Sequence, residues 1–237
     1  MLPLITGAVV AGSASWLGYN CYSPTSQLYG PTIASGSDPR QICLTYDDGP
    51  NDPHTFRLLE VLARHQVRAT FFLIGRYVRQ RPDIAAAIAK AGHEIGNHTF
   101  THPLLIFEPS SHIRSEIMQC RDAIHEAVGE HSHLFRPPFG GRRPGVFSLV
   151  RSLGLEPIMW NVTGYDWNAP SADYIEQKVT RKVRGGDVVL LHDGWHSAFG
   201  ADRAKTVTAV ERLIVRYKTE GYEFVTIPDM LSAALPS

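Results

Sequence analysis

The sequence predicts an α/β fold, a distorted (β/α) barrel of about seven strand–helix units. Short apolar runs of strand length alternate along the chain with segments whose apolar residues recur at helical spacing, an alternation that is typical of parallel strands. The strand candidates are continuously apolar, which indicates strands covered on both faces. An open doubly wound sheet is the alternative. No GxGxxG sequence follows the first strand, so nothing favours a dinucleotide-binding fold.

Composition fits one folded domain and argues against one class of partner. The chain has 237 residues, of which 43% are apolar and 19% are charged, as in ordinary globular proteins. This length is typical of one large domain with a sizeable core. The 23 Lys and Arg residues balance the 23 Asp and Glu residues. Because a nucleic-acid-binding protein usually carries a basic stripe, we expect no nucleic-acid partner.

The first 40 residues differ from the rest. We predict an apolar segment and linker at 1–40, followed by one domain at 41–237. Residues 4–18 are mostly small and apolar, but no Lys or Arg precedes them, and the run is shorter than the roughly 20 residues that span a bilayer. Three interpretations stay open: an atypical signal or anchor, a weak membrane-surface segment over residues 1–20, and a helix packed on the domain. The favoured location is the cell envelope or the exterior, with the cytoplasm as the alternative.

The elements of the barrel follow from apolar spacing and from Gly and Pro. Strands are predicted at 41–46, 69–74, 94–96, 134–135, 157–162, 187–191 and 223–227, and helices at 55–65, 83–91, 110–128, 144–153, 172–183 and 202–217. The first strand ends in Asp-Asp-Gly-Pro, Gly75 closes the second, and Gly92 ends the Ala-rich second helix. Ile113, Ile117 and Ile124 recur along one side of the third helix.

Polar residues collect where the predicted strands end. They are Asp47 and Asp48 after the first strand, His98 and His102 after the third, Arg136 after the fourth, Asp166 after the fifth, and His192 and Asp193 after the sixth. In a parallel barrel these positions share one face, where the loops after the strands build the active site. We therefore expect these side chains to meet in one cavity.

The sequence His98-Thr-Phe-Thr-His102 is a candidate metal site. A spacing of four places both imidazoles on one side of a single turn, close enough to share a metal ion. The alternative is two unrelated surface histidines. A zincin protease needs Glu directly after the first His, and Thr99 stands there, which disfavours a metalloprotease.

The pair Asp47-Asp48 supplies a third ligand and a base. Catalytic zinc usually takes three protein ligands and keeps one position for water, and two His with one carboxylate meet this requirement. A second carboxylate nearby accepts the proton of the attacking water. The alternative is a structural turn, for which Asp-Asp-Gly-Pro is well suited, and the two interpretations are compatible.

Other residues near these loops have two interpretations each. His192 has the pKa range of a general acid, or it pairs structurally with Asp193. Arg136 orients a carboxylate such as Asp47, or it is an ordinary ion-pair residue. The aromatic residues Trp160, Trp167 and Phe139 either stack on sugar rings or belong to the core.

Five motifs together resemble a known family. They are Thr-Tyr-Asp-Asp-Gly-Pro at 45–50, His-Thr-Phe-Thr-His-Pro at 98–103, Arg-Pro-Pro-Phe-Gly at 136–140, Asp-Trp at 166–167, and Leu-Leu-His at 190–192. In order and spacing they are similar to the five motifs of the polysaccharide deacetylases with a NodB homology domain (carbohydrate esterase family four). The resemblance covers about residues 40–230, and it implies a distorted (β/α) barrel with fewer than eight complete units.

The resemblance also implies a role for each site residue. Asp48, His98 and His102 would be the metal ligands, with zinc (Zn²⁺) as the common metal and other divalent transition metals as alternatives. Asp47 would be the base, oriented by Arg136, and His192 would protonate the leaving amine, with Asp166 tuning it. The N–H of Phe139 would stabilise the oxyanion. Trp167 and Leu190 would line the pocket for the acetyl methyl group.

The implied activity is hydrolysis of N-acetyl groups on a GlcNAc-containing polysaccharide or oligosaccharide, peptidoglycan or chitin-like. O-deacetylation of acetylated xylan is one alternative, and a non-catalytic sugar-binding or metal-binding protein is another.

Two positions depart from the family pattern. Tyr46 stands where Phe is commoner, and Thr163 stands where many members carry the first Asp of the fourth motif. The second departure leaves open what supports Arg136.

Overall fold

The computed structural model describes residues 16–232, so the predictions for residues 1–15 lie outside it. The strands are β1 (Gln41–Gly49), β2 (Thr70–Leu73), β3 (Glu94–Asn97), β4 (Leu134–Phe135), β5 (Glu156–Pro157), β6 (Val162–Thr163), β7 (Asp187–His192) and β8 (Glu223–Phe224). The helices are α1 (residues 16–22), α2 (His54–Arg64), α3 (Gly75–Gln80), α4 (Pro82–Lys90), α5 (Ser110–Val128), α6 (Val146–Ser152), α7 (Ala172–Thr180), α8 (Ala204–Thr219) and α9 (Ile227–Ser232).

The strands form one curled parallel sheet. They pair in the order β5-β4-β3-β2-β1-β7-β6, and β8 pairs with the start of β1. Every pairing between these strands is parallel, and helices connect most of them. The predicted α/β fold and distorted barrel are therefore confirmed.

The barrel has a seam between its two end strands, β5 and β6, and the chain before β1 lies across it. Ile33 pairs with Ile158 next to β5, and Ser35 pairs with Asp187 at the start of β7. The N–H of Met159 donates to the carbonyl of Ile33 at 2.7 Å. The irregular lead-in thus supplies hydrogen bonds at the seam, where unpaired strand edges would otherwise remain.

β1 is central, and all nine of its residues are buried. Because successive strand side chains point to opposite faces, Ile42 and Leu44 pack in the cluster beneath the helices, whereas Cys43 packs inside the curl with Phe72 and Val188. This arrangement explains the continuous apolar run, since both faces of the strand are covered. Burying one such aliphatic side chain contributes roughly 1.5–3 kcal/mol.

Two of the predicted strands were wrong in extent. The strand predicted at 157–162 is split into β5 and β6, because the carbonyls of Ile158 and Met159 accept hydrogen bonds from the Arg136 side chain instead of continuing a ladder. The strand predicted at 223–227 ends at Phe224. There Thr226 and Asp229 cap the short helix α9, since the Thr226 hydroxyl donates to the Asp229 carboxylate at 2.7 Å and accepts the Asp229 N–H at 3.3 Å.

The described part of the N-terminal segment rests on the rim of the barrel. The N–H of Arg142 donates to the carbonyl of Cys21 at 3.0 Å, and its guanidinium donates to the carbonyl of Ser26 at 3.1 Å. The helix α1 nevertheless exposes Trp16 and Tyr19, which are 55% and 65% accessible. Among residues 16–232, no helix combines the length and apolar character needed to cross a membrane.

Candidate active site

A cavity of about 340 Å³ opens at the carboxyl ends of the strands, within the size range of small-molecule sites. It is lined by Asp47, Asp48, His98, His102, Phe139, Gly140, Trp160, Trp167, Leu190, His192, Trp195 and His196. Eight of the ten predicted site residues are in this lining. The other two, Arg136 and Asp166, lie directly behind it and contact Asp47 and His192. The parallel topology thus brings the polar strand ends together.

The end of β1 is shaped so that both Asp side chains reach the cavity. Neighbouring strand residues normally point to opposite faces. Asp48 has a φ of +70°, and the pairing of β1 with β2 slips between Asp47 and Gly49. Gly194 makes room for this turn, since a Cβ there would collide with the carbonyl of Asp48. The bulge therefore places two consecutive carboxylates on one side.

The two histidines lie on a loop rather than on a helical turn. Thr99 and His102 both have positive φ, at 67° and 66°. The buried carboxylate of Glu116 holds this loop, because it accepts the N–H groups of Phe100 and Thr101 at 3.0 and 2.7 Å. The Nδ1 of His98 donates to the carbonyl of Arg136 at 2.8 Å, which leaves its Nε2 free to act as a ligand.

Asp48, His98 and His102 form a group that could hold a metal ion. The Oδ1 of Asp48 lies 3.2 Å from Nε2 of His102 and 3.7 Å from Nε2 of His98, and the three candidate ligand atoms lie within 4.8 Å of one another. Within the described residues this buried Oδ1 has no hydrogen-bond partner, a costly state that a cation would relieve. Two imidazoles and one carboxylate also match the donor set of hydrolytic zinc sites.

The protonation states suit metal binding. Burial would raise the pKa of Asp48, but the facing imidazole of His196 and the nearby His102 outweigh it and hold this pKa well below its usual range. Burial, helped by His98, lowers the pKa of His102 to about 2. The carboxylate is therefore charged and the imidazole of His102 is neutral at ordinary pH, the forms in which both groups bind metals.

Asp47 is oriented by a fully buried arginine. Nη1 of Arg136 donates to Oδ1 of Asp47 at 2.7 Å and to the hydroxyl of Thr45 at 2.8 Å. Its Nε and Nη2 donate to the carbonyls of Ile158 and Met159 at 3.3 and 3.0 Å. These main-chain carbonyls support Arg136 although Thr163 stands where many family members carry Asp. The second oxygen of Asp47 lies 3.7 Å from Nε2 of His98, beside the candidate metal position.

His192 is paired with Asp166 and not with its neighbour Asp193. Its Nδ1 donates to Oδ1 of Asp166 at 2.8 Å, and its backbone N–H donates to Oδ2 at 2.8 Å. Burial lowers the pKa of His192, but the Asp166 carboxylate outweighs burial and raises this pKa to about 9. Asp193 instead accepts a hydrogen bond from the hydroxyl of Thr55. His192 can therefore present a protonated Nε2 to the cavity.

Aromatic residues form much of the remaining lining. Trp167 meets the ring of His192 edge to face at 5.4 Å between centroids, and it is 40% accessible. Phe139 lies in a tight turn with a φ of +58° and is 48% accessible. In that turn the N–H groups of Gly140 and Gly141 donate to backbone carbonyls. Exposed rings around a polar centre are suited to sugar faces.

Sequence reasoning missed two lining residues, Trp195 and His196. Both follow β7 in the loop that begins with His192 and Asp193. We expected polar residues directly after strand ends to enter the cavity. Extending this rule by four residues beyond His192 would have included His196. Glu116 was missed as well, because a carboxylate in a long helix looks like an ordinary solvated residue until the fold places it under the histidine loop.

A family model and curated relatives match this chain, and two of the relatives illustrate the similarity. The model described as polysaccharide deacetylase matches residues 34–158. A peptidoglycan-N-acetylglucosamine deacetylase of Bacillus cereus is 34% identical over 192 residues, which are 80% of this chain and 87% of the relative. A chitooligosaccharide deacetylase of Rhizobium leguminosarum bv. trifolii is 35% identical over 204 residues, which are 84% of this chain and 95% of the relative.

Solved structures also resemble the fold, and two of them illustrate this. A peptidoglycan N-acetylglucosamine deacetylase in complex with 4-naphthalen-1-yl-N-oxidanyl-benzamide has a TM-score of 0.79 and 32% identity, covering 84% of this chain and 92% of that one. A carbohydrate esterase family four pseudoenzyme from Bacillus anthracis has a TM-score of 0.78 and 31% identity, covering 85% of this chain and 69% of that one. The resemblance inferred from the five motifs is confirmed, and the chain belongs to the polysaccharide deacetylase family.

Proposed function

We propose that this protein is a metal-dependent hydrolase that removes N-acetyl groups from GlcNAc units of peptidoglycan or a chitin-like polymer. One observation carries the proposal: a single cavity brings together a candidate metal triad, a carboxylate paired with arginine, and a histidine paired with a second carboxylate. The related peptidoglycan and chitooligosaccharide deacetylases support the same substrate class.

The metal would be held by Asp48, His98 and His102, and it would supply Lewis-acid chemistry by polarising the acetyl carbonyl and acidifying the attacking water. We propose zinc, because two imidazoles and a carboxylate are its usual hydrolytic ligands. Other divalent transition metals accept the same donors.

Side chains of the protein carry out both proton transfers. Asp47 accepts a proton from the attacking water through the oxygen that Arg136 leaves free. The hydroxyl adds to the acetyl carbon, and the N–H of Phe139 donates to the oxygen that becomes negative. Nε2 of His192 then gives its proton to the sugar nitrogen as the carbon–nitrogen bond breaks. The products are acetic acid, which loses its proton to water as acetate, and a free amine. Trp167 and Leu190 line the pocket for the acetyl methyl group.

The test is acetate release from chito-oligosaccharide, peptidoglycan and acetylated xylan, each before chelation, after chelation and after zinc is restored. We expect release from a GlcNAc substrate that stops on chelation and returns with zinc. Release from xylan alone would keep the chemistry and overturn the substrate. His192→Ala should lose activity, with His65→Ala, which alters a histidine outside the cavity, as the matched control.

A non-catalytic role is the competing outcome, since one of the similar structures is a pseudoenzyme. Against it stands the presence of the base, the acid and all three candidate ligands in one cavity. Zinc binding without acetate release from any of the three substrates would favour the non-catalytic role.

We also propose that the protein works in the cell envelope or outside the cell, with weak membrane association through residues 1–20. The first charged residue of the chain is Asp38, and α1 exposes Trp16 and Tyr19, two residue types that favour membrane interfaces. Co-sedimentation of the full chain with phosphatidylglycerol vesicles tests this. We expect W16S/Y19S to reduce the bound fraction, and equal binding of the two proteins would contradict the proposal.

A further inference from the structure

His196 lines the cavity and has no role in the chemistry described above. We propose that His196 is a positioning residue of the metal centre, which holds the Asp48 carboxylate in its ligating orientation through the oxygen that faces away from the two ligand histidines. This inference rests on the proposed metal centre and adds a fourth residue to it.

The two oxygens of Asp48 face different partners. Oδ1 lies nearest to the ligand histidines, at 3.2 Å from Nε2 of His102. Oδ2 lies 3.7 Å from Nδ1 of His196, so a small closure of this gap makes a hydrogen bond. One oxygen is thus left for the metal and the other for a donor. A neutral imidazole with its hydrogen on Nδ1 is sufficient, so no change of charge is needed.

The ring of His196 is fixed between two neighbours that belong to the same site. It stacks on the ring of His102 with 4.8 Å between centroids and 20° between planes. It also meets Phe139 edge to face at 5.0 Å. Packing therefore sets the plane of the ring, and in this plane Nδ1 faces Asp48.

The backbone of the same loop is also tied down. The carbonyl of His196 accepts hydrogen bonds from the hydroxyl of Tyr77 at 3.1 Å and from the guanidinium of Arg76. The carbonyl of Gly194 accepts from Nε of Arg203 at 2.7 Å. The close approach of Gly194 to the Asp48 backbone, described above, presses this loop against the end of β1. His196 is thus anchored to the element whose side chain it supports.

The outer partners of metal ligands orient those ligands, and their loss typically costs 10- to 100-fold in metal affinity. Asp48 has no other side chain placed on its Oδ2 in the ion pairs of residues 16–232. Without the donor, the carboxylate can rotate, and the entropy lost on fixing it again opposes metal binding.

The test is the zinc affinity of the full chain, measured by competition with a chromophoric chelator. H196F keeps a ring that can stack on His102 but has no donor, whereas H196N keeps an N–H close to the position of Nδ1. We expect H196F to bind zinc about 10- to 100-fold more weakly than wild type and H196N to stay close to wild type. H65F is the matched control and should not change the affinity.

The outcomes separate this inference from the proposed function. Tight zinc binding by wild type and H196F alike would overturn the positioning role and leave the metal centre intact. An equal loss of zinc affinity in H196F and H196N would mean that the shape of the side chain matters and not its N–H donor. That result would also overturn the positioning role. Failure of folded wild-type protein to bind zinc would overturn the metal centre itself. Circular dichroism of each variant checks that the fold is retained.

Discussion

The cavity has two walls that use the same residue type in opposite states. The metal wall consists of Asp48, His98 and His102, and the acid wall consists of His192 with Asp166 directly behind it. Burial lowers the pKa of His102 to about 2. Burial also lowers the pKa of His192, but the Asp166 carboxylate outweighs burial and raises this pKa to about 9. A carboxylate hydrogen-bonded to the ring therefore decides whether a buried imidazole is neutral or protonated.

The largest expected effects on activity come from substituting the two Asp residues at the end of β1, beside the metal wall. Asp47→Asn should keep zinc and lose about 10²- to 10⁴-fold in kcat, the usual contribution of a general base. Asp48→Asn should lose the zinc itself, since a neutral amide is a weaker ligand. Metal content and acetate release are measured on both variants. Loss of zinc from Asp47→Asn would identify Asp47 as a ligand and overturn the division of labour between the two residues.

Asp166→Asn removes the carboxylate that pairs with His192 in the acid wall. We expect a smaller loss, of about 10²-fold in kcat near neutral pH. His192 must carry its proton to act as an acid, so activity falls as the pH rises through its pKa. In wild type the carboxylate raises that pKa, which places the alkaline limb of the pH profile above the ordinary histidine range near 6.5. Asp166→Asn should move this limb to lower pH while zinc stays bound.

The pH profile of kcat/KM checks this, because it reports groups of the free enzyme. Thr206→Val is the matched control. It removes only one hydrogen bond to Asp166 and should leave the limb close to its wild-type position. An unchanged limb in Asp166→Asn would show that another group sets the pKa of His192.

Another buried histidine, His93, shows the same effect of burial on pKa away from the cavity. Burial, assisted by Arg68, lowers its pKa to about 4, and its Nδ1 accepts the N–H of Ala69 at 3.2 Å. A pKa below the unfolded value costs nothing well above pH 6.5, where the imidazole is neutral in both states. As the pH falls, the unfolded chain gains a proton that the folded chain does not, so stability declines.

The expected contribution is roughly 2 kcal/mol lost between pH 6.5 and pH 5. His93→Gln should flatten that part of the stability curve, which denaturant unfolding at the two pH values measures. His65→Gln, at a half-buried site outside the core cluster, is the control. An identical acid slope in wild type and His93→Gln would contradict the role of burial at this position.

Sequence alone predicted which residues meet, but it predicted only part of how they are held. The contact of Arg136 with Asp47 was one interpretation of the residues, and that of Asp166 with His192 came only from the family resemblance. Because parallel strands end at one face, the positions of Asp47, His98 and His192 after predicted strands were sufficient to place them in one cavity. The partner of His192 lies 26 residues away, and from residue chemistry alone Asp193 was the partner considered. The positive φ of Thr99 has no sequence signal, and that of Asp48 has only a weak one, because neither residue is Gly. These local conformations are imposed by tertiary contacts such as that of Gly194.

The smallest expected effect tests the departure from the family pattern at Thr163, which left open what supports Arg136. Four of the five N–H donors of Arg136 already have partners: Thr45, Asp47, and the carbonyls of Ile158 and Met159. Thr163→Asp restores a carboxylate where many family members have one. Because the guanidinium is already held, we expect kcat to change by less than about threefold, which corresponds to about 0.6 kcal/mol.

The measurement is kcat of Thr163→Asp beside Thr163→Asn, which has nearly the same shape without the charge. Equal and small changes in kcat for the two variants would mean that the main-chain carbonyls between β5 and β6 already hold Arg136. They would then replace the carboxylate that many family members carry. A clear rise in kcat for Thr163→Asp alone would mean that the main-chain carbonyls hold Arg136 incompletely. In that case Asp47 is oriented less well here than in relatives that carry the carboxylate, because the base depends on the arginine that fixes its other oxygen.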